Sequence, residues 1–419
     1  MKNGLLPYFP CEAMKYAAAR FGTPLFIYSR ELLEKQTDTY IRAFSGTDVL
    51  FCYAMKANSC RGLCEIIADK DFGADVVSGG ELFRALRAGF PHNKIIFSGV
   101  GKTEEELEYA INEDILFINA ESFEELKLIE KIAARLAKKI RFSVRINPDV
   151  DPHTHSYIST GRAGSKFGVS PDEAFAMYVY ASKSEFLSAA AVHFHIGSQI
   201  ASAEPFILAV KRMTAFLDRL AEFGISPEYA DIGGGWGAAE GCEMSSPDGL
   251  RKAAEPLLAR GKKLILEPGR SIAAPCGILL TKILYEKENG GKKYLITDGG
   301  MNDFLRPSLY GAQHPVSLIK KDAGQAEPFI GGGADIISGQ AFEVAGPICE
   351  SGDYFAHDIS MPESSGGDLI AILSAGAYGF SMSSNYNSRP RAAEVILENG
   401  KMRLLRRRET IQDIISLEL

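Results

Sequence analysis

The stretch "SFEELKLIEKIAARLAKKIRFSVRINP", residues 122–148, joins a helix-like pattern directly to a strand-like pattern. Apolar residues recur every three or four positions in its first part, which is the spacing of an amphipathic helix. They are Phe123, Leu126, Ile129, Ile132, Ala133 and Leu136. The second part, "IRFSVRINP", is short and rich in β-branched and aromatic residues, which favours a strand. This helix-then-strand unit indicates an α/β fold.

The same alternation extends on both sides, from about Pro24 to Arg270. Strand–helix alternation over ~250 residues is typical of parallel βαβ units. The number of units, about eight, favours a (β/α)₈ TIM-like barrel, although the pattern alone leaves an open doubly wound sheet possible. The strand-like runs are "PLFIYS", "VLFCYAM", "ADVVS", "KIIFSG", "ILFINA", "IRFSVRINP", "AAAVHFHIGS", "YADIGGG" and "KLILEPGR".

The pattern changes after Arg270. Runs such as "DLIAILSAG" and "AEVILENGKMRLLRRRE" combine strand-like residues with turn signals and show little helical spacing. The Asn-Gly pair in "LENGKM" lies between two strand-like runs and predicts a β-hairpin. We therefore predict a barrel over residues 26–273. A mostly antiparallel β-sandwich or β-barrel domain is predicted over residues 1–25 and 274–419.

Composition excludes several classes of protein. The 419 residues are 46% hydrophobic and 24% charged with a net charge of -7, so nucleic acid is not an expected partner. No apolar run approaches the ~20 residues that span a membrane, and the N-terminus resembles no signal peptide. Seven cysteines without paired CxxC spacing fit a reducing compartment. We expect a soluble cytoplasmic protein.

Unusual residues fall where predicted barrel strands end, and barrel chemistry is concentrated at the carboxyl ends of the strands. Lys56 ends the apolar run "VLFCYAM", and His193 and His195 alternate on "AAAVHFHIGS". The turn "DIGGGWG" (231–237) and the turn "EPGR" (267–270) follow two further strands.

Each of these features has a structural alternative. Lys56 could be a solvated charge at the barrel rim, or a desolvated amine that forms a Schiff base. The two histidines lack a third ligand at recognisable spacing, so we expect no metal site and favour ring packing or a buried histidine. "GGGWG" could be a tight turn or a phosphate cradle of backbone N–H groups, and "EPGR" could be a structural ion pair. Taken together, the four features describe a pyridoxal phosphate site.

The predicted β domain contributes a second set of candidate residues. "GPICESGDYF" contains Cys349 and Glu350, "NDFLRPSLYGA" contains Arg306 and Tyr310, and "GAYGFSMSSNYNSRP" contains Tyr378. A lone cysteine such as Cys349 is more often a small buried residue than an acid, and Arg306 could form a surface ion pair. These alternatives stay open on the sequence alone.

The chain resembles the diaminopimelate decarboxylases, which belong to the alanine-racemase-barrel (fold-type III) class of pyridoxal phosphate enzymes. The resemblance covers nearly the whole chain, because ten motifs occur in the family's order. They are "YAMKAN", "GADVVSGGEL", "INPDVDPHTHSYISTG", "SKFGV", "HFHIGSQ", "DIGGGWG", "EPGRSI", "NDFLRPSLYGA", "GPICESGD" and "GAYGFSMSSNYNSRPR". The chain departs from the family pattern at two places. The segment "AGSKFG" lacks the acidic residue and asparagine that usually precede "KFG". Bulky Trp236 follows the glycines, where smaller apolar residues are common.

The resemblance implies roles around the cofactor, pyridoxal 5'-phosphate. Lys56 would form the Schiff base, His195 would stack on the pyridine ring, and Glu267 would pair with the ring nitrogen. Asp75 and Glu81 would lie near Lys56 and the ring. The phosphate would be held by Ser198, Gly235 and the backbone of Glu267, Pro268, Gly269 and Arg270.

The resemblance also implies roles around the substrate. Tyr378 would contact both cofactor and substrate, and Cys349 would be the proton donor. Cys349 and Glu350 would reach in from the second subunit of a homodimer, so that the two chains share active sites. The groups expected to bind the distal amino-acid end of the substrate are Arg270, Arg306, Tyr310 and Glu350.

The implied reaction is decarboxylation of meso-2,6-diaminopimelate to L-lysine and carbon dioxide, the last step of lysine biosynthesis. A related fold-type III decarboxylase with a different substrate, carrier-bound or free, is the main alternative. A racemase fits less well, because a cysteine donor loop suits protonation after decarboxylation. A non-enzymatic pyridoxal phosphate-binding homologue should lack Lys56 or Cys349, and both are present.

Overall fold

A computed structural model describes residues 5–150, 165–237, 246–322, 329–331 and 340–419. The described residues divide into two compact units. The barrel unit comprises residues 37–237 and 246–271, and the sheet unit comprises residues 5–36 and 272–419 apart from the gaps given above.

The described strands and helices are numbered along the chain. The strands are β1 (Leu25–Ser29), β2 (Val49–Ala54), β3 (Gly73–Val76), β4 (Ile95–Phe97), β5 (Phe117–Ala120), β6 (Ile140–Val144), β7 (Leu187–Ala189), β8 (Ala191–His193), β9 (Tyr229–Asp231), β10 (Lys263–Leu266), β11 (Gly277–Asn289), β12 (Lys292–Thr297), β13 (Val316–Ile319), β14 (Phe329–Gly331), β15 (Gln340–Ala345), β16 (Tyr354–Met361), β17 (Leu369–Ile372), β18 (Ala393–Glu398) and β19 (Lys401–Arg406). The α-helices are α1 (Cys11–Phe21), α2 (Arg30–Ala43), α3 (Arg61–Ala68), α4 (Gly79–Arg87), α5 (Glu104–Asn112), α6 (Phe123–Arg135), α7 (Pro171–Ala181), α8 (Glu204–Ala221), α9 (Asp248–Leu258), α10 (Arg270–Ala273), α11 (Arg306–Tyr310) and α12 (Ile411–Ile414).

The barrel unit is built on a parallel sheet with the strand order β7-β6-β5-β4-β3-β2-β10-β9-β8. Only Ala190 separates β7 from β8, so the two form one interrupted strand. Strand β6 pairs with β7, and a parallel bridge between Arg145 and His193 continues the pairing to β8. The ring therefore closes around eight strand positions, which confirms the predicted TIM-like barrel.

Helix α6 illustrates how the quoted stretch produces this unit. Ser122 caps the helix by accepting a hydrogen bond from the backbone N–H of Glu125, and the stripe Leu126, Ile129, Ile132 and Ala133 is buried. The interior contains a buried apolar cluster made of Cys52, Ile96, Leu116, Phe117, Ala190, Ala191 and Ile265. Burying each large apolar side chain stabilises the fold by ~1.5–3 kcal/mol.

Strand β1 corrects the prediction that "PLFIYS" begins the barrel. It pairs antiparallel with β11 and parallel with β18, in the sheet of the other unit. A buried hydrogen bond from the Tyr28 hydroxyl to Glu394 Oε1, 2.7 Å long, links β1 to β18. A strand followed by a helix has the same local sequence pattern in either sheet. Only the long-range strand pairing therefore decides which sheet β1 joins. The first barrel strand is β2.

The sheet unit contains ten strands, and most neighbouring pairs are antiparallel. The parallel pairs are β1 with β18 and β12 with β15. Asn399 and Gly400 join β18 to β19 with φ angles of 50° and 72°, as a type I′ turn requires, which confirms the predicted hairpin. No helix in the described part of the chain is long and apolar enough to cross a membrane.

Candidate active site

Lys56 lies just beyond the carboxyl end of β2 and faces Asp75 in β3. Its Nζ atom is 2.8 Å from Asp75 Oδ2; the Asp75 side chain is fully buried, whereas that of Lys56 is 35% exposed. The last four residues of β2, Phe51–Ala54, are buried in the barrel, so the strand carries a half-buried amine to the strand ends. Glu81 also interacts with Lys56, and burial raises the pKa of its carboxyl group to about 7.

Glu267 and Asp231 form a buried pair of acids at the ends of β10 and β9. Burial raises the pKa of Glu267 well above its ordinary value, and the neighbouring carboxyl groups of Asp231 and Asp75 raise it further. Burial likewise raises the pKa of Asp231 to about 8, although its Oδ1 atom accepts a hydrogen bond from the Gly233 N–H at 2.9 Å. Two adjacent buried carboxyl groups cannot both ionise cheaply, so the cluster retains a proton near neutral pH.

His195 presents a neutral ring next to these acids. Its Nδ1 atom accepts a hydrogen bond from the Gly234 N–H at 3.1 Å and lies 3.8 Å from Glu267 Oε2. Burial, with help from the charges of Arg145 and Lys56, lowers the pKa of His195 well below its ordinary value. The ring is therefore a flat, uncharged surface whose proton is carried by Nε2.

His193 lies near two buried acids, a grouping that could hold a metal ion, whereas the sequence analysis expects no metal site. Within the described residues, His193, Asp231 and Glu267 each offer a potential ligand atom, all within 4.8 Å of one another and all buried. Sequence spacing did not reveal the two acids as companions of the histidine, because they come from other strands. Glu267 Oε1 lies 3.3 Å from His193 Nε2, and neither atom makes a hydrogen bond within the described part of the chain.

The glycine turn after β9 packs its backbone directly against two other strand ends. A Cβ atom on Gly234 would lie 2.2 Å from the carbonyl oxygen of Glu267, and one on Gly235 would lie 2.2 Å from that of Gly197. Gly235 also has a φ of +102°, which side chains disfavour. Only glycine permits this approach. Glycine-rich turns of this kind can present backbone N–H groups to an anion; here the Gly233 and Gly234 N–H groups donate to Asp231 and His195.

A hydroxyl and a guanidinium lie beside this glycine turn. Ser198 Oγ accepts a hydrogen bond from Arg270 Nε at 3.1 Å, and both residues are half-buried. Pro268 accepts a hydrogen bond from the Ala54 N–H at 3.0 Å, and Gly269 packs so closely that a Cβ would lie 2.9 Å from Ala54 Cβ. The "EPGR" turn is thereby tied to the end of β2, next to Lys56.

Arg145 and Glu121 are charged residues at strand ends that the sequence analysis did not single out. Arg145 follows β6, and its Nη1 atom lies 3.2 Å from Glu121 Oε1, with both side chains almost fully buried. The Arg145 guanidinium also stacks 4.7 Å above the Phe167 ring. Their signal in the sequence was a charge directly after a strand-like run, which barrels favour at functional ends.

The candidate residues of the sheet unit differ in exposure. Arg306 begins α11 and is only 2% exposed, which contradicts the surface-ion-pair alternative. Cys349 is exposed, which contradicts the buried alternative, and its N–H donates to Asn387 Oδ1 at 3.2 Å. The adjacent Glu350 is exposed and accepts a hydrogen bond from the Tyr386 hydroxyl. Tyr310 and Tyr378 are half-buried.

Of the two departures from the family pattern, Trp236 lies in the described part of the chain, whereas the start of "AGSKFG" does not. Ala163 and Gly164 of "AGSKFG", like most of "INPDVDPHTHSYISTG", lie outside the described residues. Trp236 is buried, and its ring centroid lies 6.3 Å from that of Phe206. The indole also approaches Gly249, where an added Cβ would lie 3.1 Å from it. Trp236 therefore fills space between the glycine turn and helices α8 and α9.

Comparisons with known proteins agree with this geometry. Residues 30–274 match the family described as "Pyridoxal-dependent decarboxylase, pyridoxal binding domain". The chain is 44% identical to a diaminopimelate decarboxylase of Aquifex aeolicus, over 97% of this chain and 94% of that protein. It is also 44% identical to one of Helicobacter pylori, over 94% of this chain and 95% of that protein.

Among solved structures, the chain is similar to the Helicobacter pylori diaminopimelate decarboxylase complexed with L-lysine. The TM-score is 0.89 at 43% identity, and the match covers 96% of this chain and 98% of that one. Near-complete coverage at this identity includes both the barrel and sheet units. The chain therefore belongs to the pyridoxal-dependent decarboxylases and, within them, to the diaminopimelate decarboxylase family.

Proposed function

We propose that this chain decarboxylates meso-2,6-diaminopimelate to L-lysine and carbon dioxide, with pyridoxal phosphate held on Lys56. The observation that carries the proposal is the pairing of the Lys56 amine with the buried Asp75 at 2.8 Å, at the strand ends that also hold Glu267 and His195. The carboxylate fixes the position of the amine, which can form a Schiff base with an aldehyde once it has lost its proton.

The residues fit the cofactor in three respects. Glu267 Oε1 is buried and makes no hydrogen bond within the described residues, so it can accept one from a protonated ring nitrogen. The glycine turn carries no side chain at Gly234 or Gly235 and lies beside Ser198 and Arg270, which suits a phosphate. The neutral ring of His195 can pack against an aromatic face without adding charge.

Pyridoxal phosphate, when bound, supplies an electron sink that stabilises the negative charge left when the substrate loses its carboxylate. Glu267 would keep the ring nitrogen protonated by accepting a charge-assisted hydrogen bond from it. Asp75 orients the Lys56 Nζ atom and balances its charge. The buried surroundings of Glu267 strengthen both interactions, because few waters compete there.

Cys349 is the proposed proton donor to the substrate's α-carbon. Its exposure, together with that of Glu350, supports a role at a surface that another chain can cover. We infer a homodimer in which Cys349 and Glu350 of one chain complete the Lys56 site of the other. A two-fold dimer would then contain two equivalent shared sites.

Recognition of the distal end of the substrate is assigned to Arg270, Arg306, Glu350 and the two tyrosines Tyr310 and Tyr378. The guanidinium groups match the distal carboxylate, and the Glu350 carboxylate matches the distal ammonium. A substrate that lacks either charge would leave one of these groups unpaired, which lowers its rate of turnover. The buried guanidinium of Arg306 argues against an amine-ended substrate such as ornithine.

We also propose a cytoplasmic location. Six cysteines in the described part of the chain are free, which supports a reducing compartment. The enzyme needs no membrane partner and no nucleic acid in this proposal. A sister decarboxylase with a different, possibly carrier-bound, amino acid is the alternative that the substrate assay must exclude.

The test is incubation of purified, cofactor-loaded protein with each stereoisomer of diaminopimelate, followed by chromatographic detection of lysine and of carbon dioxide. We expect lysine from the meso isomer. A parallel borohydride reduction should attach the cofactor mass to the peptide containing Lys56. Absence of lysine with the cofactor present would refute the substrate, and a label on another lysine would refute the assignment of Lys56.

A further inference from the structure

The loop that joins β15 to β16, residues 346–353, carries Cys349 and is called the donor loop. Two backbone hydrogen bonds close it. The Gly346 N–H donates to the Asp353 carbonyl at 3.0 Å, and the Asp353 N–H donates to the Glu350 carbonyl at 3.1 Å. Cys349 and Glu350 lie at its tip, and both are exposed. The loop is therefore a closed turn that presents the proposed proton donor at the surface of the sheet unit.

A buried carboxylate fixes the base of the donor loop. Asp353 is 3% exposed, and its Oδ1 atom accepts from the Met301 N–H at 2.6 Å, while Oδ2 accepts from the Ile348 N–H at 2.7 Å. Glycine at position 346 leaves room for this carboxylate, because a Cβ on Gly346 would lie 2.4 Å from Asp353 Oδ2. Hydrogen bonds to an ionised acceptor are stronger than neutral ones. The residue that precedes Cys349 is thereby held in place.

Asn387 holds the tip of the donor loop from a separate turn. That turn, Tyr386–Ser388, lies between β17 and β18. Asn387 Oδ1 accepts from the Cys349 N–H at 3.2 Å, which is the one hydrogen bond that the Asn387 side chain makes within the described residues. The adjacent Tyr386 hydroxyl donates to the Glu350 carboxylate. Two consecutive residues of one turn therefore engage the two consecutive residues at the tip of the donor loop.

The backbone of Asn387 offers a competing explanation for asparagine at this position. Its φ of 55° and ψ of 27° lie in the left-handed region, which asparagine enters more readily than most residues with side chains. Glycine enters that region more readily still. A position that needs only this backbone conformation would therefore accept glycine, whereas a position that must hold Cys349 needs a side-chain acceptor.

A proton donor must be placed more precisely than a residue that only packs. Proton transfer requires the donor to lie within hydrogen-bond reach of the receiving atom. A displacement of ~1 Å can cost ~10²-fold in rate. Cys349 is exposed and lies on a loop, so its position depends on the contacts that the loop makes. Asp353 fixes the residue before it, and Asn387 binds its own N–H.

We propose that Asn387 is a positioning residue for proton delivery, because its side-chain carbonyl holds the backbone of Cys349 at the tip of a loop whose base Asp353 fixes. This inference rests on the proposed role of Cys349 as proton donor. It assigns no contact between Asn387 and the reacting atoms. The contact lies within one sheet unit, so it holds whichever subunit's Lys56 the thiol serves.

Three variants separate positioning from a purely structural role. Asn387→Gly removes the acceptor but permits the left-handed backbone, and Asn387 is exposed, so the change opens no internal cavity. Asn387→Asp keeps an oxygen that can accept from the Cys349 N–H. Asn399→Gly is the matched control, since Asn399 is also exposed, has a φ of 50° and lies in the β18–β19 hairpin of the same unit.

The first measurement is amide hydrogen exchange at Cys349 in the cofactor-free protein, followed by mass spectrometry with peptide fragmentation. Loss of one hydrogen bond should speed exchange at Cys349 ~3- to 10-fold in Asn387→Gly. Exchange at Ile348 should not change, because its N–H donates to Asp353. Asn387→Asp and Asn399→Gly should exchange as the wild type does. Unchanged exchange at Cys349 in Asn387→Gly would overturn the proposal, since the contact would then not hold the loop.

The second measurement is kcat, KM and the single-turnover rate of lysine formation from meso-diaminopimelate on cofactor-loaded protein. Asn387→Gly should lower the single-turnover rate ~10-fold and leave KM within ~2-fold of wild type, because proton delivery follows substrate binding. Asn387→Asp should retain most of the wild-type rate, and Asn399→Gly all of it. A wild-type rate in Asn387→Gly, or equal losses in Asn387→Gly and Asn387→Asp, would contradict a positioning role.

Cys349→Ala separates failure of this inference from failure of the proposed donor. If Cys349→Ala leaves the single-turnover rate unchanged, Cys349 is not the donor, and both assignments fall. If Cys349→Ala slows the reaction while Asn387→Gly does not, only the role of Asn387 falls. Adding Asn387→Gly to Cys349→Ala should lower the rate no further, because Asn387 acts through Cys349. A full additional ~10-fold loss in the double variant would refute that mechanism.

Discussion

Replacing Asp231 by asparagine should stabilise the cofactor-free protein at alkaline pH. Burial raises the pKa of Asp231 from 3.8 to about 8, and the charge of Asp75 adds to the effect. A folded-state pKa above the unfolded one means that the stabilisation is complete below pH 3.8 and is lost as pH rises through about 8. Over that range the wild type should lose up to ~5 kcal/mol of its free energy of unfolding.

Asparagine removes this dependence while preserving the local contacts. Its carbonyl oxygen can still accept from the Gly233 N–H, which is 2.9 Å from Asp231 Oδ1, and its amide can donate to Glu267. The pKa of Glu267 should also fall toward its ordinary value, because Asp231 is among the charges that raise it. Asp231→Asn should therefore match the wild type only below about pH 4, and its advantage in stability should grow by ~4 kcal/mol between pH 5 and pH 9.

The assay is urea unfolding of the cofactor-free protein between pH 5 and pH 9. Trp236 is the chain's single tryptophan and lies in the barrel unit, so its fluorescence follows the unit that contains Asp231. Asp218→Asn is the matched control, since Asp218 is an exposed acid whose pKa is lowered by Arg260. The reasoning is refuted if Asp231→Asn shows the same pH slope as the wild type while Asp218→Asn behaves normally.

Three further predictions concern the glycine turn and the shared site. Gly235→Ala should raise the cofactor dissociation constant by ~10-fold or more, because its Cβ would lie 2.2 Å from the Gly197 carbonyl; Gly224→Ala, with a similar positive φ but open space, should not. Equilibrium dialysis measures the cofactor dissociation constant of each variant. Equal constants for the two variants would contradict a role of the close backbone approach at Gly235 in cofactor binding. Cys349→Ala should slow turnover ~10²–10⁴-fold with cofactor absorbance retained, and an unchanged single-turnover rate would exclude a proton-donor role. Refolding Lys56→Ala with Cys349→Ala in equal amounts should restore about a quarter of wild-type activity if each site uses two chains, whereas no recovery in mass-verified mixed dimers would place both groups in one chain's site.

The sequence determined the class of fold because its signals are local. The apolar stripe of α6 and the short runs that became β2–β10 reflect helix and strand periodicity, which neighbouring residues set without reference to the rest of the chain. The hairpin at Asn399–Gly400 was equally readable, since its turn geometry depends on two residues. The ordered motifs also predicted that Lys56, Glu267 and the glycine turn belong to one site.

Only the tertiary structure decided which elements and side chains meet. Strand β1 has the same pattern as a barrel strand but pairs with β11 and β18, because hydrogen-bond partners distant in the chain select the sheet. The raised pKa of Asp231 arises from burial and from the charge of Asp75, an acid on another strand that no spacing rule connects to it. The Cys349 N–H donates to the side chain of Asn387, 38 residues away, a contact that no local pattern predicts. Periodicity is a property of short segments, whereas dielectric environment and hydrogen-bond direction exist only once distant segments have packed.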